Sequence, residues 1–130
     1  MANPLWEHPG LVIALQLIIW SVVWLVAAVI GLWRTNREAW RGFWFVTGIW
    51  CSIDAAIGIA GLMGTIAPLP DLRWLLLTNA GLDVLYVAVG VVLATRPRPV
   101  LRGAGWAVVI QGLFLLLFDF LHAMSIPLGP

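Results

Sequence analysis

Three aspartates, Asp54, Asp83 and Asp119, fall inside stretches of the chain that are otherwise apolar enough to cross a lipid bilayer. Every arginine lies in or beside a loop, and lysine is absent. A carboxylate at the bilayer centre costs about 2.5–3.5 kcal/mol on insertion scales, so each must be protonated, hydrogen-bonded, or matched to a cation or another carboxyl. Two or three carboxyls gathered in low dielectric can be held together by a proton or a metal ion. Ionisable residues at such depth are expected to mark a functional site.

The neighbours of these aspartates follow helical spacing, in which positions three and four apart share a face. Asn79, Asp83, Tyr86 and Gly90 make one stripe, and Gln111, Leu115, Asp119 and His122 another. Thr47, Cys51, Asp54, Gly58 and Gly61 make a third. Polar groups turned to lipid are penalised, so the three stripes are expected to face one another. The candidate ligand-binding residues are Asp54, Asn79, Asp83, Tyr86, Gln111, Asp119 and His122. Asp83 and Asp54 form the core of the set, with Asn79, Tyr86 and Gln111 as neutral partners.

No Ser-His-Asp order, H-E-x-x-H or paired-histidine motif is present, so no catalytic residue is assigned and a non-enzymatic role is favoured. A hard cation such as Ca²⁺ wants six to eight oxygens, which Asp54, Asp83, Asn79 and Gln111 supply only in part. Zinc would need more nitrogen or sulfur than His122, His8 and Cys51 bring, and a bis-histidine haem would have to rest on His8 and His122 alone. Metal and cofactor therefore stay unassigned. A single cysteine, Cys51, rules out an intramolecular disulfide and dithiol relay, and the lack of lysine rules out Schiff-base chemistry. No basic face exists for nucleic acid, which leaves the lipid bilayer as the partner. A homo-oligomer or a larger membrane complex remains open.

The elements that must position these residues follow from composition. Hydrophobic residues make up 62% of the chain and charged residues 10%, the inverse of a soluble domain. Four segments, Leu11 to Trp33, Gly42 to Gly64, Trp74 to Thr95 and Gly103 to Met124, are each long enough to cross about 30 Å of hydrocarbon. With their flanks they predict helices at about 11–33, 36–64, 71–95 and 100–124 in one membrane domain, 1–130. Continuous apolar runs such as Val22 to Val26 exclude the alternation of a β-barrel. Met1 to Gly10 carries no Lys or Arg and the apolar run that follows is too long, so the first segment is expected to persist as a span and not to be cleaved as a signal peptide.

Arg34, Arg37 and Arg41 flank the first connection and Arg96, Arg98 and Arg102 the third, while only Arg73 is basic between the second and third spans. The positive-inside rule then puts both termini, with Glu7 and His8, outside. Thr35 and Glu38 fit a capping box for the second helix, Pro70-Asp71 a rigid lead-in and N-cap for the third, and Arg96-Pro97-Arg98-Pro99 a turn that cannot be helical. Short connections make sequential helices antiparallel neighbours, so the fold class is an all-α, transmembrane, four-helix up-down bundle. Trp6, Trp33, Trp40, Trp44, Trp74 and Trp106 fall near span ends, where an indole can keep its N–H wet, while Trp20, Trp24 and Trp50 lie deeper, where packing between helices is favoured over lining a ligand cavity.

Depth follows from a rise of about 1.5 Å per residue. It places Asp54, Asn79 and Asp83 roughly 10–16 Å below the outer surface, with Gln111 slightly deeper and Asp119 and His122 near the rim. Asp54 and Gln111 are then the expected cross-helix partners of Asp83, and Asp119, beside His122, can be hydrated at small cost. The first span, with only Gln16 and Ser21 as interior polar residues, closes the bundle. Ala56, Ala60 and Gly64 form a small-xxx-small pattern that favours contact inside the bundle over contact between protomers.

Two runs, Asn79-Ala80-Gly81-Leu82-Asp83-Val84-Leu85-Tyr86 and Gly105 to Asp119, the latter containing Gln111-Gly112-Leu113-Phe114-Leu115-Leu116-Leu117-Phe118-Asp119, resemble two signatures of a family of small bacterial four-helix membrane proteins of unknown function. In Trp50-Cys51-Ser52-Ile53-Asp54 the chain departs from that family, which carries amides where Cys51 and Asp54 stand. The resemblance implies a multi-pass protein of the bacterial inner (plasma) membrane and groups Asn79, Asp83, Tyr86, Gln111 and Asp119 as one set, but it brings no activity. Two readings follow. Either the polar cluster binds a proton, cation or small polar ligand from the outer side, or it is interhelical glue in a structural or accessory subunit of a larger complex.

Overall fold

A computed structural model describes residues 9–63 and 69–126. Four helices account for nearly all of them: α1 Pro9–Arg34, α2 Glu38–Met63, α3 Leu69–Ala94 and α4 Pro99–Ser125. Each is long and apolar enough to cross a membrane. At about 1.5 Å per residue the 26 residues of α1 span roughly 39 Å, more than a hydrocarbon core requires. Trp6, His8 and Gly64 lie outside the described residues.

The helix ends show how local chemistry sets the boundaries. Thr35 does not cap α2 as the T-x-x-E pattern predicts. Its N–H still bonds Gly31 O at 3.0 Å and so completes α1, while α2 opens with the Arg41 N–H bond to Arg37 O at 2.9 Å. The Arg41 guanidinium then donates to Leu32 O and Thr35 O, capping α1 with a cation where its orphan carbonyls concentrate negative charge. Asp71 is likewise no N-cap. The helix starts two residues earlier, at Leu69, and leaves Asp71 in the first turn. Between α3 and α4 the Pro97 and Pro99 turn holds: Arg98 is extended and Pro99 starts α4.

Side-chain and backbone contacts fix the relative directions. Gly61 meets Ala14 and Gly48 meets Ala28, so α2 runs opposite to α1. Gly90 meets Gly105 and Val109 while Gly112 meets Val87, so α4 runs opposite to α3. Ala39 and Phe43 of α2 abut Gly103 of α4, and Cys51 reaches Gln111 a few turns on, so these two helices run the same way. Six of the seven arginines therefore gather at one end of the molecule, and Arg73 stands at the other.

Close packing joins α1 to α2, α3 to α4, and α2 to α4. Loop length alone predicts α2 against α3, but small residues decide otherwise. Gly42 and Gly103 let the backbones of α2 and α4 touch, and a Cβ on Gly103 would run into Ala39 O. Gly90 and Gly105 do the same for α3 and α4. More of α4 is buried than of any other helix, and α2 and α3 flank it with a gap between them. The predicted small-xxx-small face is not part of this packing. Ala56 and Ala60 are exposed, and Gly58 and Gly61 carry the contact with α1 in their place.

At the end carrying Arg73, Ile13, Leu72, Leu76, Ala123 and Ile126 form a buried apolar cluster that ties α1, α3 and α4 together. At the arginine-rich end Trp24, Trp40, Phe43 and Trp44 stack in a continuous aromatic group beneath Gly31. Trp33, Trp40, Trp74 and Trp106 are exposed, as expected for indoles near span ends.

Candidate functional site

The gap between α2 and α3 holds a cavity of about 290 Å³. Asp54 comes to it from α2, Asn79, Asp83 and Tyr86 from α3, and Asp119 from α4. Each helix brings its residues by the i, i+3/i+4 rule, so the α3 stripe Asn79, Asp83 and Tyr86 lines the cavity as a unit. Among the predicted residues these five converge, and Gln111 and His122 do not.

All three aspartates are buried, at 5% exposure for Asp54, 2% for Asp83 and 7% for Asp119. Asp83 and Asp119 are hydrogen-bonded to each other across the α3–α4 seam. Two carboxyls in that contact need a proton between them, because a pair of carboxylates has only acceptors to offer. The predicted hydrated position of Asp119 at the rim is thus corrected. The close α3–α4 crossing through Gly112, which leaves Asp83 O within reach of the α4 backbone, carries Asp119 inward onto Asp83.

Asp54 stands near enough to act electrostatically on both. Its Oδ2 is buried without a hydrogen-bond partner among the described residues, and Asp83 Oδ2 has none beyond the contact with Asp119. A buried acceptor left unpaired costs about 1–3 kcal/mol, more when charged. The carboxyl oxygens are therefore acceptors in want of a donor. No group of three His, Cys, Asp or Glu side chains is arranged to hold a metal ion among the described residues.

Gln111 is engaged elsewhere and is not the partner of Asp83. Its Oε1 accepts from Trp20 Nε1 at 3.0 Å and from Cys51 Sγ at 3.8 Å, which joins α1, α2 and α4 in one polar contact. Its Nε2, with Ser21 Oγ and Thr47 Oγ1, is buried without a partner. His122 bonds Gln16 of α1 at 2.7 Å and meets Phe118 edge-on, away from the cavity. The first helix does more than close the bundle: Leu17 lines the cavity, Gln16 holds His122, and Trp20 stacks on Phe114 with centroids 3.6 Å apart.

Trp50 fits both of its readings and is absent from the predicted site: it lines the cavity, and it packs edge-to-face on Tyr86 at 5.1 Å, bridging α2 and α3. Its offset of four from Asp54 carried the signal, since that places both on one face. Apolar walls complete the cavity, with Ile53 and Ile57 on α2, Leu82 on α3 and Leu115 on α4.

A family model described as a family of unknown function (DUF6992) matches residues 16–120, which includes every residue lining the cavity. No curated protein and no solved structure matches the chain.

Proposed function

The chain belongs to this family of unknown function, and from that premise we propose that it is an integral membrane protein that binds a proton or a small cationic or polar ligand at the Asp54, Asp83 and Asp119 cavity. Four helices long and apolar enough to span support the membrane reading. The gathering of Arg34, Arg37, Arg41, Arg96, Arg98 and Arg102 at one end supports an orientation with that end in the cytoplasm and both termini outside. In this reading the chain is a single multi-pass domain of a bacterial plasma membrane, and the cavity lies in the middle and outer half of the bundle.

The observation that carries the binding reading is the unpartnered Asp54 Oδ2 in a cavity already holding the Asp83–Asp119 pair. Interhelical glue would consume its acceptors. Ser, Thr or Asn would serve that purpose without an ionisation problem, at about 0.6 kcal/mol per bond. Here one carboxyl oxygen is buried without a partner, on a residue that lines the cavity together with the Asn79 amide and the Tyr86 phenol. The set offers acceptors for a bound proton or for a donor-bearing ligand, and it lacks the nucleophile and base geometry of a hydrolase.

Thermal unfolding of the purified protein in detergent, scanned over pH and over added ammonium or sodium ion, tests this. The parent is expected to respond to at least one of these, and Asp83→Asn to lose the response while remaining folded. A parent indifferent to all of them, with variants equally well folded, would favour the accessory-subunit reading.

A further inference from the structure

Building on the reading of Asp54, Asp83 and Asp119 as a binding site, we propose that its ligand is an amphiphilic organic cation, an amine on an apolar body, taken up sideways from the hydrocarbon between α2 and α3.

Placement comes first. The cavity walls come from residues 50–57 of α2 and 79–86 of α3, the middle stretches of two helices that each pack on α4 and leave a slot between them. Among the described residues, no lining comes from the last turn of α2 or the first turn of α3. In a chain that spans the bilayer, a slot at that height opens into acyl chains and not into water.

The chemistry of the mouth agrees. Ile53, Ile57 and Leu82 line the cavity and yet are 55%, 58% and 42% exposed, so the rim is aliphatic. The three carboxyls are buried beneath it, while Tyr86 shares the exposed rim. A hydrated inorganic ion would have to shed its water at an apolar rim and then find coordinating oxygens that the aspartates are not arranged to supply. An alkylammonium meets the same rim with its chain and brings N–H donors to the Asp54 carboxyl, which lacks one, and to the Asp83–Asp119 pair, a charge-assisted match. Trp50 and Tyr86, edge-to-face across the slot, add aromatic faces of the kind that attract organic cations. A volume of about 290 Å³ sits at the small end of pockets for organic molecules.

The test uses the full chain in phosphatidylcholine nanodiscs with three probes: n-octylamine, ethylammonium with the same head and a short tail, and n-octanol with the tail and no charge. Binding is read by equilibrium uptake over empty nanodiscs and by the unfolding midpoint. Octylamine is expected to bind saturably and raise the midpoint, while ethylammonium and octanol at equal concentration do neither. Asp54→Asn should weaken octylamine by about tenfold or more, the loss expected for one charge-assisted bond. Leu82→Trp, at an exposed position on the rim, should reduce octylamine uptake by narrowing the slot.

Equal binding of ethylammonium and octylamine, or a response to pH or small ions alone, overturns lateral uptake of an amphiphile while leaving the binding reading in place. Octanol matching octylamine in both parent and Asp54→Asn overturns recognition of charge. Silence toward every probe and toward pH removes both readings.

Discussion

The Trp20 indole N–H donates to Gln111 Oε1 at 3.0 Å, joining α1 to α4 where their backbones do not pack closely. The same indole lies flat on Phe114, with 5° between the planes, so stacking and the hydrogen bond hold it together. Trp20→Phe keeps a ring on Phe114 and loses only the bond. It is expected to cost about 0.6 kcal/mol and at most about 2. Gln111→Ala strands both the indole N–H and the Cys51 thiol and opens a void in the most buried helix, so about 2–4 kcal/mol is expected. Reversible unfolding in mixed micelles measures both, and an equal cost for the two would show that the amide is idle.

Asp83 and Asp119 share a proton in their contact, and its removal leaves two like charges together at low dielectric. Stability is expected to fall where that proton is lost, because the two facing charges then repel. Asp83→Asn and Asp119→Asn each supply an amide donor in place of the proton and should flatten this dependence. In a double-mutant cycle the two sites should couple by about 0.5–3 kcal/mol, with the coupling changing across pH. Additive effects at every pH would mean that the contact carries no energy.

The glycines of α3 and α4 separate close approach from mere helix content. Gly103→Ala drives a methyl into Ala39 O of α2, backbone against backbone, where nothing flexible can yield. A loss of about 1–3 kcal/mol, or a failure to fold, is expected. Gly81→Ala meets nothing within 4 Å on an exposed face of α3 and should be neutral or gain up to about 1 kcal/mol from helix propensity. Comparable losses at both positions would mean that the α2–α4 seam is not tight.

The four apolar segments were legible because hydropathy and length act on each segment alone, and the Pro97–Pro99 turn because proline acts on its own backbone. The α3 stripe was legible for the same reason: Asn79, Asp83 and Tyr86 share a face whatever surrounds them. Partner choice was not, since it depends on which helices approach closely. Loop length put α2 beside α3, whereas Gly42 and Gly103 drew α2 onto α4 and opened the slot in which Asp54 and Trp50 stand. Counting depth along α4 lets Asp119 be hydrated near the rim, because it does not register the shielding that buries the residue. Facing stripes and similar depth pair Gln111 with Asp83, whereas its donor is Trp20 of α1, a helix whose interior polar residues are only Gln16 and Ser21.

Arg73 offers the last prediction, from the end of the bundle opposite the other arginines. Its guanidinium donates to Ala123 O at 2.9 Å, which also accepts the Ile126 N–H at 3.3 Å, and to Ile126 O at 2.8 Å, just past the end of α4. A cation there also meets the negative end of the α4 dipole. Arg73→Met keeps a stem of similar length but loses both bonds. Amide exchange in residues 121–126 should accelerate by about tenfold or more, as loss of a bond to a charged group implies. Lysine can place a charge there but not the planar fork, so Arg73→Lys should restore only part of the protection. Because Asp119 lies more than a turn inside α4, the pH response of the Asp83–Asp119 pair should survive Arg73→Met. Unchanged exchange in the last turn, or a lost pH response, would show that Arg73 acts on the cavity and not on the helix end.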